Sequence, residues 1–375
     1  MSMFFFLFYS YTRKLFFRIF CGDSSFQKIK QKKRNSSMAI NTDFCSSNSD
    51  TTSHCTACFY GPNCQFTTAY YSITSLEILF CSIESIPTSV ILSILFLGSL
   101  CNVFSIATFC QSNTREIGSG IYRLWMSIIG QIGLMIVVSH LLFEKNQLIA
   151  CYLFEYLRKA FHALYDSLTA CIALERTMVI YQGITFNKIG SRRIAKLVIP
   201  ILFLYHFISV LYEPFFRQIV DTSNRSWCTL KSYHYSLLNY ESTRNIFHFI
   251  IPYMINLLFP ILWIFTLTKQ KCTLYQNVST WINLQNVLYT YKHTIISSYI
   301  LVLLNTPRFI LTFSLTCIEH KWQNTAYITA YLLSLIPMMM NLFIFVLPSP
   351  KYRPVFIGLL QRLVRYRHRN EYDRA

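Results

Sequence analysis

With 375 residues, 53% hydrophobic and 17% aromatic side chains, only 13% charged ones and a mean hydropathy of +0.36, the chain is too apolar for a soluble domain of this length. It reads as an all-α, polytopic membrane protein. The formal net charge of +18 does not argue for nucleic acid, because Lys and Arg gather between apolar runs and in the C-terminal tail, where they act as topology signals.

Residues 1–37 begin with the aromatic stretch MSMFFFLFYSYTRKLFFRIF and run into the basic KIKQKKR. Its charges interrupt the apolar run instead of preceding it, so it is a poor signal peptide, and it is too short and charged for a span. A basic block ahead of the first span would also hold the N-terminus in the cytoplasm. Translation is therefore expected to start at Met38, leaving 1–37 as a non-native or disordered extension. Residues 38–83 are polar and carry Cys45, Cys55, Cys58 and Cys64. The stretch C-FYGPN-C from Cys58 to Cys64 looks like the closing hairpin of an epidermal-growth-factor-type module, in which disulfides stand in for a core. Four cysteines allow three pairings, and a zinc site is the competing reading of Cys55-x-x-Cys58.

From residue 84 to 349 come seven apolar segments, at about 84–110, 121–143, 151–176, 194–216, 246–268, 294–317 and 324–347, each near bilayer length. Arg115 with Arg123 just beyond, then Lys188, Arg192, Arg193 and Lys196, then Lys269, Lys271 and Lys292 mark alternate connections. Residues 350–375 add Lys351, Arg353, Arg362, Arg365, Arg367 and Arg369. The other connections hold Glu144, Glu213, Asp221, Glu241 and Glu319. The positive-inside rule then puts the N-terminus outside and the C-terminus inside. KYRPVFIGLLQRLVRYR, with apolar residues at helical spacing and basic ones between, predicts an amphipathic helix on the membrane surface.

Within the third segment, about 25 steps separate Cys151 from Glu175-Arg176-Thr177, about 37 Å of helix and enough to cross a hydrocarbon core about 30 Å thick. Asn102 lies in GSLCNV of the first segment, Pro307 in LNTP of the sixth, and Asn341 in NLFIFVLPSPKYR of the seventh. In this joint spacing the chain resembles the rhodopsin-like (class A) G-protein-coupled receptors over roughly residues 84–365. The resemblance implies a seven-transmembrane helix bundle, a Cys151–Cys228 disulfide, a glycan on Asn224, a switch at Glu175 and Arg176, and a heterotrimeric G protein as partner. Departures stand beside it. Thr177 replaces the tyrosine after the arginine, Gln131 is the best candidate for the second helix's aspartate, Asn305 replaces a tryptophan, and Leu342 and Phe345 replace a proline and a tyrosine. Without the aspartate a sodium-dependent collapse of the core is not expected. The proline of the sixth helix would bend it, and the fourth segment carries Pro200 and Pro214.

Glu155, Lys159, His162 and Asp166 recur at helical spacing, with Arg158 beside them, on the outer half of the third helix. Ionisable groups this deep in a span are functional candidates. The alternative is mutual satisfaction, Glu155 with Lys159 and His162 with Asp166. Counting from Cys151, Arg158 stands where amine receptors of this family carry their ligand-binding aspartate, so the resemblance implies a ligand with an anionic group, not an amine. Asn305 is a further ligand-binding candidate. No nucleophile–base–acid set, metal-spaced cluster or phosphate loop appears in the spans, so no enzyme activity, cofactor or metal is expected. Two other readings stand: a seven-helix decoy that does not signal, and a transporter or channel subunit, against which the lack of an internal repeat weighs.

Overall fold

The structure, a computed structural model, describes residues 59–60, 66–67, 88–142, 150–221, 226–230, 240, 243–274, 279–314 and 321–372. The extension 1–37, the four stub cysteines Cys45, Cys55, Cys58 and Cys64, and Asn224 lie outside the described residues.

Seven helices carry the apolar segments in order: α1 (Thr88–Phe109), α2 (Gly118–Leu142), α3 (Glu155–Gln182), α4 (Lys188–Val210), α5 (Ile251–Leu274), α6 (Thr280–Ser314) and α7 (Lys321–Met339). An eighth, α8 (Arg353–Tyr372), takes the basic amphipathic tail. Wider π-type turns lead into α3 at Ala150–Phe154 and α5 at Ile246–Ile250, and follow α7 at Leu342–Val346. Two antiparallel strand pairs add a small β component: the first falls at the stretch from Cys58 to Cys64 that was expected to form a hairpin, and the second was not expected. In one, β1 (Phe59–Tyr60) pairs with β2 (Phe66–Thr67); in the other, β3 (Arg217–Asp221) pairs with β4 (Ser226–Leu230) so that Ile219 faces Cys228.

The helix ends follow from local chemistry. After α1 the hydroxyl of Thr114, in the Ser112–Arg115 turn, points at the carbonyls of Phe109 (3.1 Å) and Gln111 (2.6 Å), and the Thr114 N–H also bonds the Gln111 carbonyl at 3.1 Å. Gly183, at φ +53°, ends α3 with its N–H on the Val179 carbonyl, a conformation that costs glycine little. Asn187 then caps α4 by accepting from the Gly190 N–H at 2.9 Å. Pro200 lies inside α4, but Pro214 does not. The helix stops at Val210, and Pro214 opens a separate turn, Glu213–Phe216, where its missing N–H costs nothing.

Among the described residues three stretches are long and apolar enough to cross a membrane: Gly118–Ser139, Lys188–Phe216 and Thr243–Thr273. α6 makes a fourth only if its halves Thr280–His293 and Ile295–Ile310, which meet at 73°, are counted as one span; the same bend is that of a re-entrant loop. The bend expected at Pro307 is thus found near residue 294 instead, and nothing in the structure explains it. α3 packs against α2, α4 and α5, so it forms the centre of the bundle. Polarity is reversed relative to a water-soluble fold. Glu155, Glu213 and His206 are buried, while Leu197, Ile201, Leu204 and Ile208 on α4 are exposed. Such an exposed apolar face fits lipid as its solvent.

Candidate functional site

Among the described residues polar side chains gather at four depths along the bundle interior. The outer group begins where α3 leaves its wide turn. Glu155, fully buried, accepts from Arg158 Nη2 at 2.5 Å and lies 3.7 Å from Arg217 Nη2. Glu213, also fully buried, accepts from Arg217 Nε at 2.7 Å and from Lys159 Nζ. Three cations therefore surround two carboxylates and join α3 to the Glu213 turn and β3. Of the mutual pairs expected, Glu155 with Lys159 does not form, because the chain beyond α4 offers Lys159 a better placed carboxylate. His162 with Asp166 does form, at 3.6 Å, and His162 also touches Arg308 of α6.

Below this the side chains of Asp166, Phe249, Pro252, Tyr253, Asn256 and Asn305 line a narrow cleft among α3, α5 and α6, with room at its centre for about one water molecule. Asn256 Nδ2 donates to Thr169 Oγ1 at 2.8 Å, and Thr169 Oγ1 donates to the Asp166 carbonyl at 2.6 Å. Asn305 keeps a buried carbonyl oxygen with no hydrogen-bond partner. Arg308 stacks its guanidinium 4.7 Å from the Phe249 ring. Arg158, the residue expected to meet a ligand, is nearly buried on Glu155, and Arg308 is the cation that contacts the cleft wall. Sequence reading passed over Arg308, although an arginine one residue after a proline inside an apolar run is itself the signal.

At mid-depth Asn102 Nδ2 donates to the Met338 carbonyl and its Oδ1 accepts from Asn341 Nδ2, both at 3.1 Å. The Tyr165 hydroxyl lies 2.7 Å from Asn341 Oδ1 and from the Pro337 carbonyl, which belongs to the last turn of α7, where carbonyls run out of intrahelical partners. The α2 residue against this node is Gly130, not Gln131. A methyl group on Gly130 would lie 2.7 Å from the Met338 carbonyl and 3.2 Å from Asn341 Nδ2. Gln131 turns to α1, where its Nε2 meets Ser99 Oγ at 3.0 Å.

At the inner end Glu175 does not pair with Arg176. Its carboxylate accepts from Ser191 of α4 and lies against Gly118 at the start of α2, where the unpaired N–H groups of a helix terminus favour an anion. Arg176 instead reaches Ser297 Oγ of α6 at 3.5 Å. The neighbouring cation is Arg123, nearly buried, with Tyr352 at 4.9 Å and Phe345 at 5.6 Å from its guanidinium carbon. Sequence reading took Arg123 only as a topology charge. Phe345 is buried, and Tyr352 packs edge-on against Phe109. Pro307 is half-buried in α6. Outside the spans, Lys351 Nζ sits 3.0 Å from Glu116 Oε2, and that hydrogen bond and charge hold the exposed Glu116 carboxyl below its ordinary range.

Cys151 is disulfide-bonded. Cys228 lies on β4, whose partner β3 packs beside Ala150–Phe154. Among the described residues no His, Cys, Asp and Glu cluster has a metal-binding arrangement. No protein-family model and no curated protein matches the chain.

Proposed function

We propose that the protein is a seven-span plasma-membrane receptor of the rhodopsin-like type, with its N-terminus outside. In this reading it binds an extracellular ligand at the outer cluster and passes the change to a heterotrimeric G protein at its inner face. The observation that carries this reading is a set of separate polar contacts at successive depths of the bundle. They are Asp166, Asn256 and Asn305 about the cleft, then Tyr165, Asn341 and Asn102, then Arg176 on Ser297. Buried polar groups at this depth are costly and mark sites where helices exchange partners. The long Arg176–Ser297 contact joins α3 to α6, so an outward swing of α6 would release the guanidinium. The disulfide of Cys151 is assigned to Cys228, and Asn224 between β3 and β4 is the glycan site. Arg158, standing where amine receptors of this type carry an aspartate, favours an anionic ligand over an amine.

The test is a second-messenger assay in cells expressing residues 38–375 and the Arg176→Ala variant. The variant is expected at the surface but uncoupled, and normal coupling in it would refute the role of Arg176. Activation by a simple cationic amine, unaffected by Arg158→Ala and Arg308→Ala, would overturn the ligand class. A non-signalling decoy is the second reading, favoured by one observation: Glu175 is engaged with Ser191, so no acidic lock holds Arg176. Wild-type protein that binds ligand and never couples would establish it.

A further inference from the structure

At the inner end of α2 a buried cation is held without an adjacent acid. Arg123, one turn beyond Ser119, is 3% exposed, and no carboxylate among the described residues lies within ion-pair distance of it. Its Nε is buried with no hydrogen-bond partner. A guanidinium drawn this far out of water is costly unless its charge is met in another way. Two aromatic rings meet it. The guanidinium carbon lies 4.9 Å from the centre of the Tyr352 ring and 5.6 Å from that of Phe345, within reach of cation–π attraction, which strengthens as water is excluded. Glu175 of α3 lies farther off but close enough to feel the charge of Arg123.

The places of the two rings give this contact its consequence. Phe345 belongs to the wide turn after α7, Tyr352 stands immediately before α8, and both are buried. Arg123 therefore grips the α7–α8 junction from both sides and ties it to α2. Toward α1 the junction is held by uncharged ring contacts, Tyr352 on Phe109 and Phe356 on Phe104. The Lys351–Glu116 pair is 44% and 54% exposed, and such pairs contribute little. We propose that Arg123 is a latch: a positioning residue that holds the start of α8 against α2 and restrains the inner face in its resting state. Breaking a buried ion pair strands two charges, whereas a guanidinium that leaves these rings leaves only apolar faces behind, so the latch opens without an acid to neutralise. The restraint of signalling rests on the receptor reading above; the hold on α8 does not.

The test follows backbone hydrogen exchange over 353–365 in the full chain in lipid nanodiscs. Tyr352→Phe keeps the ring and should exchange as the wild type does. Tyr352→trifluorophenylalanine keeps the shape but draws negative charge off the ring face, and should speed exchange about threefold or more over Tyr352→Phe. Arg123→Gln should do the same, with Arg123→Lys between it and the wild type. Packing alone predicts equal exchange for the two ring variants, and that result overturns the latch whether or not the Arg123 variants fold. In cells, Arg123→Gln should raise the second-messenger level without ligand by about threefold. An unchanged level in a chain that couples overturns the restraint of signalling. Exchange that responds as expected in a chain that never couples refutes the receptor reading and leaves the latch standing.

Discussion

A single methyl group decides how α2 meets the centre of the bundle. Asn102, Asn341 and the Met338 carbonyl close a small hydrogen-bonded ring, and α2 approaches it through Gly130, which has nothing to insert. Gly130→Ala therefore pushes α2 off a backbone carbonyl, and the expected loss is about 1–3 kcal/mol of stability, read as a lower melting temperature in detergent. Gln131→Leu should cost less, since the Gln131 amide meets only Ser99 and its carbonyl oxygen has no hydrogen-bond partner. The reverse order would put Gln131, not Gly130, at the node. Sequence pointed to Gln131 because it is the polar residue at about the right depth. One step along a helix turns the side chain by about 100°, however, and glycine gives no polar sign of the face it occupies. Asn102 and Asn341 were legible for the opposite reason: an amide in an apolar run has to have a partner. Tyr165 was not, since a tyrosine in such a run reads as ordinary packing.

Ion pairs fasten the start of the β3–β4 hairpin to α3. Glu213 holds Lys159 of α3 and Arg217 of β3 at once, and it is fully buried. Replacing one member of such a set strands the others in low dielectric, which costs about 3–5 kcal/mol where measured. Glu213→Gln is thus expected to trap the chain inside the cell about as completely as Cys151→Ser. Cys151→Ser and Cys228→Ser should together be no worse than either alone, with surface labelling as the readout. Additive losses of the two cysteines would break their assignment to one bridge, and normal surface delivery of Glu213→Gln would show that the ion cluster is dispensable. The order and type of the long helices followed from apolar length and basic punctuation. The end of α4 and the start of α6 did not, because apolar residues run past Val210 and polar ones fill the start of α6. The ion cluster was half legible. The α3 charges stood out, but their partners Glu213 and Arg217 come from a connection where charge is unremarkable.

At the scale of the whole molecule the open question is which helices cross the bilayer, and contacts between helix ends bear on it. α3, like α1 and α7, is not among the stretches long and apolar enough to cross, and Glu155, Arg158, Lys159, Asp166, Glu175 and Arg176 all lie on it. Those groups meet partners on neighbouring elements, so their presence does not keep α3 out of a membrane. The start of α2 touches the start of α4, with the Gly118 N–H donating to Ser191 Oγ at 3.1 Å. α2 and α4 therefore begin on the same side. α3 joins the end of α2 to the beginning of α4, so if those two cross, α3 must cross between them. The same reasoning reaches the other end of the chain. Lys351, just after α7, contacts Glu116 just before α2, which puts the end of α7 on the side where α2 starts. That is the side rich in Arg192, Arg193 and Lys196, which the positive-inside rule makes cytoplasmic. An epitope tag inserted between α2 and α3, at 143–149, should be labelled on intact cells. One inserted at 184–186, between α3 and α4, or after residue 372 should be labelled only after permeabilisation. If tags on both sides of α3 are labelled on intact cells, α3 does not span, and the seven-span reading fails with it.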